Sequence, residues 1–78
     1  MVRAKFFVTS LEQRKWGDKI MTTIKMSPVY SDDPDSENKK FWDASPSGEL
    51  ILSTVNPEAA KEFELGEEYY IDFIKAKK

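Results

Sequence analysis

Cations lie beside aromatic rings at three places in the chain: Lys5 near Phe7, Arg14 and Lys15 before Trp16, and Lys39 and Lys40 before Phe41 and Trp42. Such rings can stack unpaired bases, at about 1–3 kcal/mol per base, while neighbouring cations follow the phosphates. That chemistry suits single-stranded DNA or RNA without strict sequence preference. The plainer account is that the rings fill a core and the cations are ordinary solvated neighbours.

The carboxylates support less. Asp32, Asp33, Asp35 and Glu37 crowd one short stretch, but an EF-hand loop needs Gly at its sixth position, Glu at its twelfth and helices on both sides. None of these is met, so a solvated acidic loop is expected. Asp43 and Asp72 sit among large apolar residues, where burial would raise a carboxyl pKa toward general-acid use. With no His, no Cys and no paired carboxylate at a recognisable spacing, a strand-exposed aspartate or one paired with Tyr or Lys is the better account of both. The chain contains no His and no Cys, which removes the commonest general base, the thiolate nucleophile and the usual zinc ligands together. Gly17, Gly48 and Gly66 are isolated and begin no phosphate-cradling loop. A non-enzymatic protein that uses no metal and no cofactor is expected.

The elements that must position these residues are mostly strands. Residues 1–78 are short enough for a single small β-rich domain. From Arg3 to Leu11, Ala4, Phe6 and Val8 alternate with Lys5, Phe7 and Thr9, so Phe6 and Val8 are core candidates and Phe7 shares the outer face with Lys5. Glu12 to Lys19 is polar around Trp16-Gly17-Asp18 and reads as the tip of a long hairpin. The return strand, Lys19 to Tyr30, sets Ile20, Thr22, Ile24, Met26 and Pro28 on one side, and Pro28 marks an edge, a bulge or the strand's end. Residues 31–40 have no apolar side chain and are expected to form a mobile acidic loop. A second hairpin is expected from Phe41–Ala44 and Glu49–Val55, with Leu50 and Leu52 facing the same way.

The best-marked stretch comes last. Asn56 and Pro57 are start signals for a helix over Pro57–Phe63, with Ala60, Phe63 and Leu65 packed on the sheet and Gly66 taking positive φ after the helix end. Tyr69, Ile71 and Phe73 then alternate with Tyr70, Asp72 and Ile74 as a final strand. Together these elements predict a mainly β (β-rich α+β) fold: a small antiparallel five-stranded barrel or curled sheet with one short helix before the last strand, with an open sheet crossed by the helix as the second choice. Closure is favoured because it removes exposed sheet edges.

Charge is uneven. Residues 1–30 carry six basic and two acidic groups, whereas residues 31–74 carry three and twelve, within a net charge of −2. A uniformly basic surface is therefore absent, and a nucleic-acid site would have to be one basic face. No stretch approaches the roughly 20 apolar residues of a membrane span, so a soluble intracellular protein that avoids membranes is expected.

Several stretches resemble a family of small proteins encoded by tailed bacteriophages. They are the Lys-Phe-Phe-Val-Thr-Ser run near the start, Phe41-Trp42-Asp43-Ala44-Ser45-Pro46-Ser47-Gly48, Ser53-Thr54-Val55-Asn56, and Phe63 followed by Gly66, Tyr69-Tyr70-Ile71-Asp72-Phe73. The resemblance implies a phage origin, the cytoplasm of an infected bacterial host and a β-rich domain. In outline the chain is also similar to OB-like barrels, which often bind single strands, although here the helix precedes the last strand and not the fourth. The expected function is binding of single-stranded nucleic acid through Lys5, Phe7, Lys25, Lys40 and Trp42. The alternative is a protein-interaction module, either a virion component or an inhibitor of a host protein. An unpaired edge strand would suit homo-oligomerisation under either reading.

Overall fold

A computed structural model describes residues 2–29 and 47–77. The chain starts with a long hairpin. Strand β1 spans Val2–Trp16 and β2 spans Lys19–Pro28, joined by Gly17-Asp18. Gly17 has φ of +66°, the left-handed conformation required at the first central position of a tight two-residue hairpin turn. A Cβ added there would meet nothing within 4 Å, so dihedral freedom alone explains the glycine. The polar stretch after Leu11 is thus strand almost to the turn, because each residue from Glu12 to Trp16 has a cross-strand partner in β2.

Strand β3 (Leu50–Thr54) pairs with β2, and β4 (Glu68–Phe73) pairs with β1, both antiparallel, giving the order β3-β2-β1-β4. Among the described residues there are four strands where the sequence predicts five, and they form an open sheet in place of the expected barrel. The predicted strand at Phe41–Ala44 and the acidic loop at residues 31–40 lie outside the described residues. The pairing explains why the sheet stays open. β4 covers only Val2–Phe7 of β1, and β3 covers only Thr22–Met26 of β2, so the two edge strands lie at opposite sides and do not meet. The radius of gyration of 14.6 Å exceeds the roughly 11–12 Å of a compact chain this long.

One face of the sheet holds the core. Ala4, Phe6, Val8, Ile24 and Met26 are buried, with Leu50, Phe63, Tyr69 and Ile71 packed against them. Pro28 is buried opposite Phe6 and ends β2, as its missing N–H dictates. A bulge at Thr9 interrupts the hairpin: Val8 pairs with Met26 but Ser10 pairs with Lys25. The Thr9 hydroxyl donates to the Lys25 carbonyl at 3.1 Å and so occupies part of the broken ladder.

The helix, α1, is a single turn over Pro57–Ala60, shorter than the sequence predicts. Asn56 caps it as expected, its side-chain oxygen accepting from the Glu58 N–H at 3.0 Å. The chain then tightens, with the Glu62 and Phe63 N–H groups bonding three residues back, to Ala59 and Ala60. Phe63 still reaches the core, but Leu65 is 66 % exposed and does not complete the predicted contact. Gly66 does adopt positive φ, at +84°, in the turn that enters β4 and not at the helix end. Tyr69 pins this connection: its ring meets Phe63 at 5.4 Å, and its hydroxyl donates to the Glu62 carbonyl while accepting from the Glu64 N–H.

Candidate nucleic-acid interface

Opposite residues in an antiparallel pair share a face, so the register sorts the second face of the sheet. It carries Arg3, Lys5, Phe7, Ser10, Glu12, Arg14 and Trp16 from β1, and Lys19, Met21, Thr23, Lys25 and Ser27 from β2. The edges add Ile51 and Ser53 from β3, and Glu68, Tyr70 and Asp72 from β4. Lys5, Phe7 and Lys25, three of the five residues selected from sequence, therefore lie on one face. Lys40 and Trp42 lie outside the described residues.

The Thr9 bulge has a direct effect on this face. Strict alternation from Phe6 and Val8 would carry Ser10, Glu12, Arg14 and Trp16 toward the core. The extra residue reverses the parity, so Leu11, Gln13 and Lys15 continue the core face and Arg14 and Trp16 join Lys5 and Phe7.

The cations are held in position by carboxylates. Arg3 sits directly across from Asp72 and donates to it twice, Nε to Oδ1 at 2.6 Å and Nη2 to Oδ2 at 3.1 Å. This guanidinium holds the Asp72 carboxyl below its ordinary pKa, so the raised-pKa reading of Asp72 is not met. Asp43, the other aspartate considered, lies outside the described residues. Lys5 Nζ is 3.8 Å from Glu68, and Lys25 Nζ is 2.8 Å from Glu12. The hydrogen bond and charge of that last pair lower the Glu12 pKa and raise that of Lys25.

Tyr70 stands between two of these pairs. The Arg3 guanidinium carbon lies 5.1 Å from its ring centroid and Lys5 Nζ lies 5.5 Å away, within cation–π range, while the residue remains 55 % exposed. Phe7 is half-buried on the diagonal from Tyr70, and Lys25 lies two residues along β2 from Ser27, the partner of Phe7. The patch thus contains two rings bordered by three cations. Strand positions on this face hold Arg3, Lys5, Arg14, Lys19 and Lys25 against Glu12, Glu68 and Asp72, an excess of positive charge in a chain whose net charge is −2.

Sequence reasoning did not place Arg3 and Tyr70 in this set. Alternation already puts Arg3 beside Lys5, but only the β1–β4 register brings Tyr70 over to them. A separate cleft of about 620 Å³ lies between the core face of the hairpin and α1, bordered by Leu11, Ile20, Pro57 and Phe63 among others. Among the described residues that line it, Lys61 is the one charged side chain. Among the described residues no group of three His, Cys, Asp or Glu side chains converges as a metal site would need, and no helix is long and apolar enough to cross a membrane.

No family model matches the chain, and comparison with curated proteins and with solved structures finds no match. The fold and the chemistry of this face therefore carry the functional reading.

Proposed function

We propose that this is a non-enzymatic, phage-encoded domain acting in the cytoplasm of the infected bacterium, which binds single-stranded nucleic acid on the second face of its sheet. The observation that carries the reading is the convergence of Lys5, Phe7 and Lys25 with Arg3 and Tyr70 on one exposed surface. Bases stack on Tyr70 and Phe7, and phosphates exchange places with the carboxylates now bound to the cations. That exchange is inexpensive, because solvent-exposed ion pairs contribute only about 0–1 kcal/mol. Nucleic acid carries a far higher density of negative charge than three separate carboxylates.

The test is fluorescence anisotropy of labelled single-stranded DNA and RNA at two salt concentrations. Lys5→Glu and Tyr70→Ala should each weaken binding about tenfold or more, and Glu12→Gln should strengthen it by releasing Lys25. Absence of binding at high micromolar protein, or affinity indifferent to all three substitutions, would reject the reading. The second reading, a surface for a host or virion protein, is favoured by apolar residues exposed along both sheet edges: Ile51 (50 %) on β3, Phe73 (50 %) ending β4 and Ile74 (73 %) beyond it.

A further inference from the structure

β4 ends the strand order β3-β2-β1-β4, and among the described residues no strand lies beyond it. Val8 donates its N–H to the Glu67 carbonyl at 3.0 Å and its carbonyl accepts from the Gly66 N–H at 2.9 Å, so its backbone faces β4. The Lys5 carbonyl accepts from the Val29 N–H and faces β2. Strand alternation therefore turns the backbone groups of Tyr69, Ile71 and Phe73 toward β1, and those of Glu68, Tyr70 and Asp72 outward. The strand Glu68–Phe73 holds no Pro, no Lys and no bulge in its pairing with β1, the devices that commonly keep an edge from pairing. Its carboxylates do not guard it either, because Asp72 is bound by Arg3 and Glu68 lies 3.8 Å from Lys5. Apolar surface continues along it, with Phe73 50 % and Ile74 73 % exposed.

We infer that β4 is the seam of a homodimer, in which it pairs antiparallel with β4 of a second copy and joins the two open sheets into one. The inference is independent of the nucleic-acid reading. A two-fold axis normal to the sheet must pass through a residue, since opposite residues have to share a face. Charge then selects the register. An axis at Tyr70 sets Glu68 against Asp72 of the second copy, and an axis at Asp72 sets that carboxylate against itself. Like charges directly opposite are destabilising. An axis at Ile71 sets Ile71 against its own copy, Tyr69 against Phe73, Tyr70 against Asp72 and Glu68 against Ile74. No like charges meet, and axes nearer either end of β4 pair fewer residues. Tyr69 and Ile71 already pack on the core, so with Phe73 they carry it across the seam into the second copy. Tyr70 and Asp72 exchange about four backbone hydrogen bonds there, using only groups that face outward. Six residues per copy make a seam below the standard size, so the dimer is expected to be weak and reversible.

The experiment is sedimentation velocity of the 78-residue chain without nucleic acid, from low to high micromolar concentration, on wild type, Ile74→Glu and Ile74→Lys. Ile74 is exposed and outside the proposed binding face, and circular dichroism checks that both variants stay folded. Wild type should form a reversible dimer that grows no further. Ile74→Glu faces Glu68 of the second copy and should weaken the dimer, whereas Ile74→Lys faces the same carboxylate with opposite charge and should hold it. Because the contact occurs twice per dimer, the two variants should differ by about tenfold. Equal weakening by both overturns the Ile71-centred seam, since lost apolar area alone would act so. The second readout is a covalent trap, free of background because the chain has no Cys. The axis sets Ile71 and its copy as a non-hydrogen-bonded pair, with Cα atoms about 4.5 Å apart, within disulfide range. Oxidised Ile71→Cys should therefore become a covalent dimer, while Ile51→Cys on β3 stays monomeric. Wild type that is monomeric at every concentration, or preferential cross-linking through Ile51→Cys, overturns the proposal. Assemblies that keep growing with concentration also overturn it, because they signal β3 pairing with β4 in an open chain. Nucleic-acid binding by a monomer would overturn the seam and leave the sheet-face reading standing.

Discussion

At Arg3 and Asp72, residue chemistry both joins two strands and presents a charge. The pair bridges β1 and β4 with two hydrogen bonds on the sheet surface, and Tyr70 lies beside the guanidinium. Because the Asp72 pKa is lowered in the folded state, its contribution to stability is complete above the ordinary aspartate range and is lost as pH falls through the depressed folded value. Urea midpoints measured from neutral to strongly acid pH should therefore decline more steeply through that window for wild type than for Asp72→Asn. Parallel declines would show that the pair does not couple folding to protons. Lys25 has the opposite sign. Its raised pKa contributes stability below the ordinary lysine value and loses it as alkaline pH passes the folded one.

Among the elements, the connection from β3 to β4 is held by specific hydrogen bonds more than by area. Within one turn of helix none of the residues is buried, so the cap bears an unusual share of the segment's order. Asn56 acts twice there, accepting from the Glu58 N–H while its own N–H donates to the Thr54 hydroxyl at 3.0 Å. Asn56→Ala should cost about 1 kcal/mol, visible as a fall in Tm of about 4–8 °C for a domain of this size. A smaller fall would mean that Tyr69, whose hydroxyl ties Glu62 and Glu64, suffices to hold the turn. The start of this element was legible in Asn56-Pro57, because a cap is a local bond between neighbours. Its end was not: the predicted run to Phe63 stops at Ala60 because the chain turns to deliver Phe63 against Tyr69, a contact set by the sheet.

At the scale of the molecule, five buried hydrophobic side chains among the described residues form the core on one face of the sheet. Single-core domains this small have only roughly 3–5 kcal/mol to lose, and Ile24→Ala should cost about 2–5 kcal/mol by removing a side chain that is 1 % exposed at the centre of β2. The variant should be largely unfolded at 25 °C, with loss of dispersed amide resonances. A cost below about 1 kcal/mol would mean that the described core is not what stabilises the fold. Charge at this scale is uneven, since cations gather on one sheet face while carboxylates concentrate later in the sequence.

What the sequence determined by itself was local: strands from period-two alternation, the hairpin turn from Gly17, the cap from Asn56, and the pairing of Phe6 with Val8 and of Lys5 with Phe7 on opposite faces. These follow from the geometry of a few consecutive residues, whose side chains alternate whatever the strand later meets. Tertiary structure decided which strands are neighbours, where the Thr9 bulge reverses parity, and that β3 and β4 end as separate edges without closing a barrel. Those outcomes depend on burying Ala4, Phe6 and Val8 against residues more than sixty positions away, a non-local balance of packing and hydrogen bonding that no short window contains. The same balance brought Tyr70 to Arg3 and Lys5 and moved Trp16 to the face of Phe7, so the candidate surface exists only in the folded chain.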